Sequence, residues 1–161
     1  MAKEKTPVTA AVRQLRAEKV LFSDHLYAYE DKGGTAVSSR ELGVDEHAVI
    51  KTLVMEDENR TPLIVLMHGD LQVSTKELAR VIGVKQVSPC TADTAQKLSG
   101  YLVGGTSPFG LRHQMPVYLE ESITRLPRIY INGGKRGYLV GMAPAELVRV
   151  LKPHVVTVGL R

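Results

Sequence analysis

The stretch Ala48-Val49-Ile50-Lys51-Thr52-Leu53-Val54-Met55 constrains the fold more than any other part of the sequence. Read as a β-strand, its side chains alternate between two faces. Lys51, Leu53 and Met55 then share one face, and Ile50, Thr52 and Val54 share the other. Both faces are largely apolar, so the strand must be covered on both sides, which calls for a layered arrangement of sheet and helices. A lysine in such a strand has to snorkel, find a partner or line a cleft. Two glycine-rich segments further along strengthen the cleft reading: Gly104-Gly105-Thr106-Ser107-Pro108-Phe109-Gly110 and Gly133-Gly134-Lys135-Arg136-Gly137. Glycines of this kind bring bare backbone close to a ligand or to another strand.

The rest of the chain interleaves helical and strand patterns. Thr6 as cap and Pro7 in the first helical position predict a helix with Val8, Ala11, Val12 and Leu15 inward and Arg13, Arg16 and Lys19 on the solvent side. Residues 21–30 read as a strand with Tyr27 and Tyr29 on one face. Ser38-Ser39-Arg40-Glu41 and Ser74-Thr75-Lys76-Glu77 match capping boxes of helices closed by Gly43 and Gly83. The Lys51 strand and residues 62–67 form a hairpin across a polar turn. Strands are also expected at 85–88, 116–119, 129–131, 138–142 and 155–158. Helices are expected at 91–98 and 144–151, with a short helical link at 121–126. This alternation predicts a mixed α/β (α+β) domain spanning residues 1–161, with residues 1–5 flexible.

Composition narrows the function. Hydrophobic residues make up 43% of the 161-residue chain and charged residues 24%, the balance of a soluble globule with a true core. A net charge of +4 permits a polyanionic partner such as RNA without requiring one. Cys90 is the sole cysteine, so no internal disulfide can form, and its apolar context suits a buried structural thiol. The charged start Met1-Ala2-Lys3-Glu4-Lys5 lacks the apolar core of a signal peptide, and no apolar run reaches the roughly 20 residues of a membrane span. A cytoplasmic protein is expected. None of the histidines (His25, His47, His68, His113, His154) falls in an H-x-H or H-E-x-x-H pattern, so local spacing offers no metal site. There is no G-x-S-x-G elbow and no Walker A loop. Taken locally, Gly133 to Gly137 reads as a hairpin turn and His68-Gly69-Asp70 as a simple turn. The Gly104–Gly110 loop could offer backbone N–H groups to a carbonyl or oxyanion.

Four segments together resemble the YbaK/EbsC family of aminoacyl-tRNA deacylases, relatives of the editing domain of bacterial prolyl-tRNA synthetases. They are Lys51-Thr52-Leu53, Gly100-Tyr101-Leu102-Val103-Gly104-Gly105, Ser107-Pro108-Phe109-Gly110 and Ile129-Tyr130-Ile131-Asn132-Gly133-Gly134-Lys135-Arg136-Gly137. The resemblance spans nearly the whole chain. It implies a mixed, barrel-like sheet surrounded by helices, and hydrolysis of the ester that joins an amino acid to the 3′ end of mischarged tRNA. It implies Lys51 as the required lysine and the Gly104-Gly105 loop as the holder of the aminoacyl carbonyl. It further implies a substrate surface drawn from Tyr29, Thr106, Ser107, Pro108, Asn132, Gly133, Gly134, Lys135 and Arg136. Neither cofactor nor metal is implied. The implied partner is tRNA, above all tRNA(Pro), with prolyl-tRNA synthetase as a second. Two positions depart from the cysteinyl-tRNA deacylases of the family: Asn132 replaces a serine and Leu139 an aspartate. Those changes predict a pocket that favours a small aminoacyl group, since asparagine takes more room than serine and leucine accepts no hydrogen bond.

An aminoacyl ester is already activated, so positioning and electrostatics can carry much of the catalysis. Lys51 could place its ammonium near a phosphate, a ribose hydroxyl or the developing oxyanion, or act as a base if burial lowers its pKa. The competing function is a non-catalytic tRNA- or synthetase-binding module of the same fold. A third is an unrelated regulatory or nucleotide-binding protein.

Overall fold

A computed structural model describes residues 6–161. Residues 1–5, expected to be flexible, lie outside the described residues. Helix α1 (Ala10–Ala17) leads into β1 (Ser23–Leu26), α2 (Gly34–Leu42), β2 (Val49–Asp57), β3 (Pro62–His68), β4 (Gln72–Val73) and α3 (Thr75–Ile82). Then come β5 (Val87–Pro89), α4 (Ala92–Ser99), β6 (Val117–Glu120), β7 (Ile129–Lys135), β8 (Tyr138–Met142), α5 (Pro144–Leu151), β9 (His154–Val156) and β10 (Gly159–Leu160). The main sheet runs β1-β8-β7-β2-β3-β6-β9, with β5 also on β2, and β4 pairs with β10 in a separate ribbon. It is the mixed α/β sheet expected from the sequence. The β2·β7, β3·β6 and β6·β9 pairs are parallel and the other pairs antiparallel.

Alternation along the strands sorts the apolar residues into two layers. Ile50, Val54, Ile64, Leu66, Ile129, Ile131, Tyr138, Val140 and Met142 join α1 and α5 residues in one cluster. Met55, Leu63, Val65 and Met67 meet Leu78 and Ala79 of α3 in the other. Lys51 lies opposite Met67 and Leu53 opposite Val65, so the lysine shares its face with the second layer. Strand β2 is covered on both sides, as its composition demands. No helix is long and apolar enough to cross a membrane among the described residues.

Several elements differ at their ends from the sequence expectation, each for a tertiary reason. Thr9, not Thr6, caps α1 by accepting from the Val12 N–H. The Thr9 hydroxyl also donates to the Gly133 carbonyl at 2.5 Å, which fixes the helix start there and leaves Pro7 outside it. The strand expected over 21–30 is confined to Ser23–Leu26. Beyond it the Tyr27 N–H bonds the Gly137 carbonyl at 2.9 Å, and the chain leaves the sheet. Ser38 and Ser39 lie inside α2, donating back to the carbonyls of Thr35 and Ala36, rather than capping it. Gly43, Gly83 and Gly100 take left-handed conformations and end α2, α3 and α4.

A polar chain ties the C-terminal segment to the β2–β3 end of the sheet. Buried Glu120 accepts from the N–H groups of Val158 (2.7 Å) and Gly159 (3.0 Å), and the Ser122 hydroxyl lies 3.4 Å from its second oxygen. Ser122 also meets His68 Nε2 at 2.7 Å, while His68 Nδ1 donates to the His47 carbonyl at 2.6 Å. The rings of His47 and His68 stack at 3.6 Å and 6°, and His47 Nδ1 pairs with Asp70 at 2.9 Å.

Two tests follow from this network. Glu120→Ala leaves one buried and one part-buried N–H group unpaired, so about 2–4 kcal/mol of stability should be lost in denaturant titrations. An unchanged midpoint would show that Glu120 does not hold the tail. Burial is the main reason the His68 pKa lies below the ordinary 6.5. The unfolded chain therefore takes up this proton first, and stability present above pH 6.5 should fall as the pH drops from there toward the lowered folded value. His68→Gln should weaken that dependence. An equal slope in the variant would assign the effect to other groups.

Candidate active site

The site starts from an interruption in the sheet. On the β2 edge away from β3, β7 pairs only with Val49 and Ile50, and β5 pairs only with Met55, Glu56 and Asp57. Lys51, Thr52, Leu53 and Val54 have no strand neighbour on that edge. The Val54 carbonyl points across it to the Cys90 N–H at 3.0 Å. By the two-residue alternation of a strand, the N–H and C=O of Thr52 point the same way, into the gap. A cleft of about 550 Å³ opens there. Its walls come from β2, α2, the residues after β1, the start of α4, the glycine loop and the β7–β8 hairpin.

Lys51 is half-buried and lines this cleft. Burial is the largest influence on its ammonium and lowers its pKa, while the carboxylates of Glu46 and Asp70 oppose that shift. The Thr52 hydroxyl, one residue on, is the only buried side-chain polar atom without a hydrogen-bond partner among the described residues. A buried hydroxyl left unpaired is destabilising, so a ligand group that meets it gains what the protein alone does not provide. Cys90 also lines the cleft and is half-buried rather than fully enclosed. Burial, with Glu56 beside it, pushes its thiol up to about 11, which makes it a poor nucleophile at neutral pH.

The first glycine loop is docked, not merely exposed. Gly104 takes φ +92° with the Tyr29 hydroxyl 2.6 Å from where a Cβ would stand. A Cβ on Gly105 would lie 2.9 Å from the Arg136 nitrogen and 3.1 Å from the Lys135 carbonyl carbon. The first loop thus sits on the backbone of the second. Asn132 joins them: its Nδ2 donates to the Gly104 carbonyl at 3.1 Å, and its Oδ1 accepts from Gly134 (2.7 Å) and Lys135 (3.1 Å). Arg136 Nε donates to the Val103 carbonyl, and its guanidinium lies 5.3 Å over the Tyr29 ring.

Of the residues singled out in the sequence, Lys51, Tyr29, Gly104, Thr106, Asn132 and Arg136 line one cleft. Gly105, Ser107, Pro108, Gly133, Gly134 and Lys135 do not. Ser107 is buried, with its Oγ accepting from the Phe109 N–H. Pro108 borders a separate small pocket of about 170 Å³. A Cβ on Gly133 would strike the Tyr138 ring, and one on Gly134 would meet Tyr101 and Thr9, so both make room for neighbours. Lys135 is exposed at the tip of the hairpin. Thr35, Val37, Ser38 and Val49 line the cleft without having been marked in the sequence. Their pattern is that of ordinary helix and strand residues, and only the fold brings α2 over β2. Thr52 was visible as the polar residue beside Lys51.

The fold also gathers His47, His68 and Asp70 so that their candidate ligand atoms lie within 4.8 Å of one another, which local spacing does not reveal. Nitrogen lone pairs lie in the ring plane, and planes only 6° apart do not converge on one ion. Both His68 nitrogens are also engaged in the network above. The arrangement suits a hydrogen-bonded stack rather than a metal centre.

The sequence profile of the aminoacyl-tRNA editing domain matches residues 31–150. A protein of Enterococcus faecalis, provisionally named Cys-tRNA(Pro)/Cys-tRNA(Cys) deacylase EbsC, is 31% identical over 92% of this chain and 92% of its own. A proline–tRNA ligase of Thermodesulfovibrio yellowstonii is 32% identical over 74% of this chain, which corresponds to 20% of that enzyme. Among solved structures, the hypothetical protein APE2540 superposes with a TM-score of 0.86 at 22% identity, covering 94% of this chain and 99% of that one. A structure provisionally described as a trans-editing enzyme for prolyl-tRNA synthetase gives 0.80 at 21% identity, over 95% and 98% of the two chains. The profile match, the full-length relative and the shared fold agree: the chain belongs to the aminoacyl-tRNA editing domain family.

Proposed function

We propose that this protein is a free-standing editing hydrolase that cleaves the ester between an amino acid and the 3′-terminal ribose of mischarged tRNA, with tRNA(Pro) carrying Cys or another small residue as the foremost substrate. The observation that carries this reading is the placement of the Lys51 ammonium and the unpartnered Thr52 hydroxyl on a cleft in the sheet gap. The names of the relatives, a Cys-tRNA deacylase and prolyl-tRNA ligases, support the substrate class.

In this mechanism water adds to the ester carbonyl carbon and negative charge develops on the carbonyl oxygen. The bond to the ribose oxygen then breaks, and that oxygen takes a proton as the free hydroxyl returns. Lys51 supplies positive charge to the developing oxyanion or to the adjoining phosphate. Glu46 and Asp70 favour its charged form against burial, which supports an electrostatic role over a base role. The Thr52 hydroxyl and backbone bind the aminoacyl end. Asn132 acts through the protein, because its amide is engaged with the Gly104 carbonyl and the hairpin turn. Its side chain still forms part of the cleft wall. Gly105 serves the docking of the loop on the hairpin, so a side chain there disturbs packing as well as activity. Arg136 and Lys135 stand at the tRNA side.

Lys51→Ala should reduce deacylation of Cys- or Ala-tRNA(Pro) by about 10²–10³-fold without loss of fold, and Lys51→Arg should retain part of the rate. The ammonium exists below its lowered pKa and disappears above it. The lysine-dependent part of the rate should therefore fall as pH rises through that value, and less so in the arginine variant. A rate that rises instead would make Lys51 a base. Full activity of the alanine variant would remove it from the mechanism, and tRNA binding without hydrolysis of any substrate would favour the binding module. A second test concerns the hairpin. If Lys135 and Arg136 touch phosphates, the double alanine variant should flatten the fall of tRNA affinity with salt by about two units of log–log slope. An unchanged slope would exclude them.

A further inference from the structure

We infer that the cleft contains an aliphatic side-chain subsite, made by Val37, Val49 and Leu139, that selects apolar aminoacyl groups against hydroxylated groups of the same size. The inference rests on the editing reading above and specifies what the cleft accepts.

Val37, Val49 and Leu139 are 9%, 1% and 4% exposed, yet they belong to neither of the two core clusters. All three line the cleft. They come from three separate elements, α2, the start of β2 and the start of β8. Register brings two of them to one side. Val49 lies beside Tyr130 in the parallel β2·β7 pair, Asn132 shares the Tyr130 face, and Leu139 stands directly opposite Asn132. Val49, Lys51, Asn132 and Leu139 therefore project from the same face of the sheet. The acyl side chain of a substrate whose ester sits at Lys51 has this apolar wall beside it.

Apart from Lys51, which faces the ester, the amide and hydroxyls beside this wall have partners already. Asn132 uses both ends of its amide on backbone groups. The Thr35 hydroxyl donates to Glu46 and meets the Gly69 carbonyl, and Ser38 donates to the Thr35 carbonyl. The unpartnered Thr52 hydroxyl stands on the opposite face of β2 from Val49, by alternation. A hydroxyl carried onto this wall loses water and gains no acceptor or donor from Val37, Val49 or Leu139 in return. A methyl or thiol loses little, since a thiol packs as a small hydrophobe. Apolar pockets discriminate between such isosteres by up to about 10²-fold.

The test is a set of matched rates with the full-length protein. One tRNA is charged with Ala or Ser, and with Val or Thr, and kcat/KM is measured for each. Ala should exceed Ser, and Val should exceed Thr, by roughly 10–100-fold. Val37→Thr and Leu139→Thr should each narrow those ratios several-fold, whatever happens to the absolute rates. Thr hydrolysed as fast as its isostere Val, or Ser as fast as the smaller Ala, would overturn the subsite. Ratios unmoved in both folded variants would overturn its assignment to these residues. If none of the esters is hydrolysed, the editing reading fails, and the subsite is then judged by binding. Adenosine analogues carrying alanine or serine through a stable 3′-amide are titrated by calorimetry. Tighter binding of the alanyl analogue by at least several-fold supports the subsite, and equal binding overturns it.

Discussion

Two neighbours of strand β2 stop short of each other, and the rest of the site depends on that gap. The parallel partner β7 ends its contact at Ile50, and the antiparallel partner β5 begins at Met55. A continuous sheet edge would pair the Thr52 backbone and close the cleft that Lys51 lines. The gap instead leaves the lysine on an open cleft while β3 and the two apolar layers keep the strand in place. It also leaves backbone groups and a hydroxyl at Thr52 without partners in the protein. Such groups are usually satisfied in folded chains, so their persistence at a cleft marks a place for a ligand.

The two glycine segments work as one unit. Gly104 has room only because it lacks a side chain where Tyr29 approaches, and its positive φ suits glycine. Gly105 lets the loop rest on the hairpin backbone, and Asn132 fastens the two by hydrogen bonds. Tyr29, Arg136 and Val103 close the same corner through the guanidinium over the ring and the bond to the carbonyl. The cleft wall is thus built largely from main chain held by short polar links. A wall of that kind resists displacement by substrate, which is what positioning an ester carbonyl requires.

Much of this was legible in the sequence because the strongest signals are local. The apolar strand with its lysine, the Ser74 cap, the helix-ending glycines and the Pro144 start all correspond to observed elements. Signals that were misread depend on distant partners. Thr6 and Thr9 are equally good caps on paper, and the Gly133 carbonyl decides between them. Ser38-Ser39-Arg40-Glu41 has the spacing of a cap, but the Gly33-Gly34 pair allows the helix to start earlier. The residues that stand out in the sequence include both those that line the cleft and those that shape its loops, since sequence shows that a glycine is present but not what crowds it. Val37 and Val49 carry no mark in the sequence. Only a comparison of core clusters with cleft walls distinguishes them.

The cleft combines a cation with an apolar wall, and each affects the other. Apolar surroundings exclude water and strengthen the field of the ammonium at a nearby oxyanion. The same surroundings weaken the cation by favouring its neutral form, and burial is indeed the leading influence on Lys51. Glu46 and Asp70 counter that effect from outside the apolar surface. Their own placement is fixed by the hydroxyl of Thr35 on Glu46 and the imidazole of His47 on Asp70. Because His47 stacks on His68, and His68 reaches Glu120 through Ser122, the charge balance at the lysine is connected to the network that anchors the C-terminal segment. Strand β2 therefore carries the lysine on one face while its flanking turns supply the carboxylates that favour its charged form.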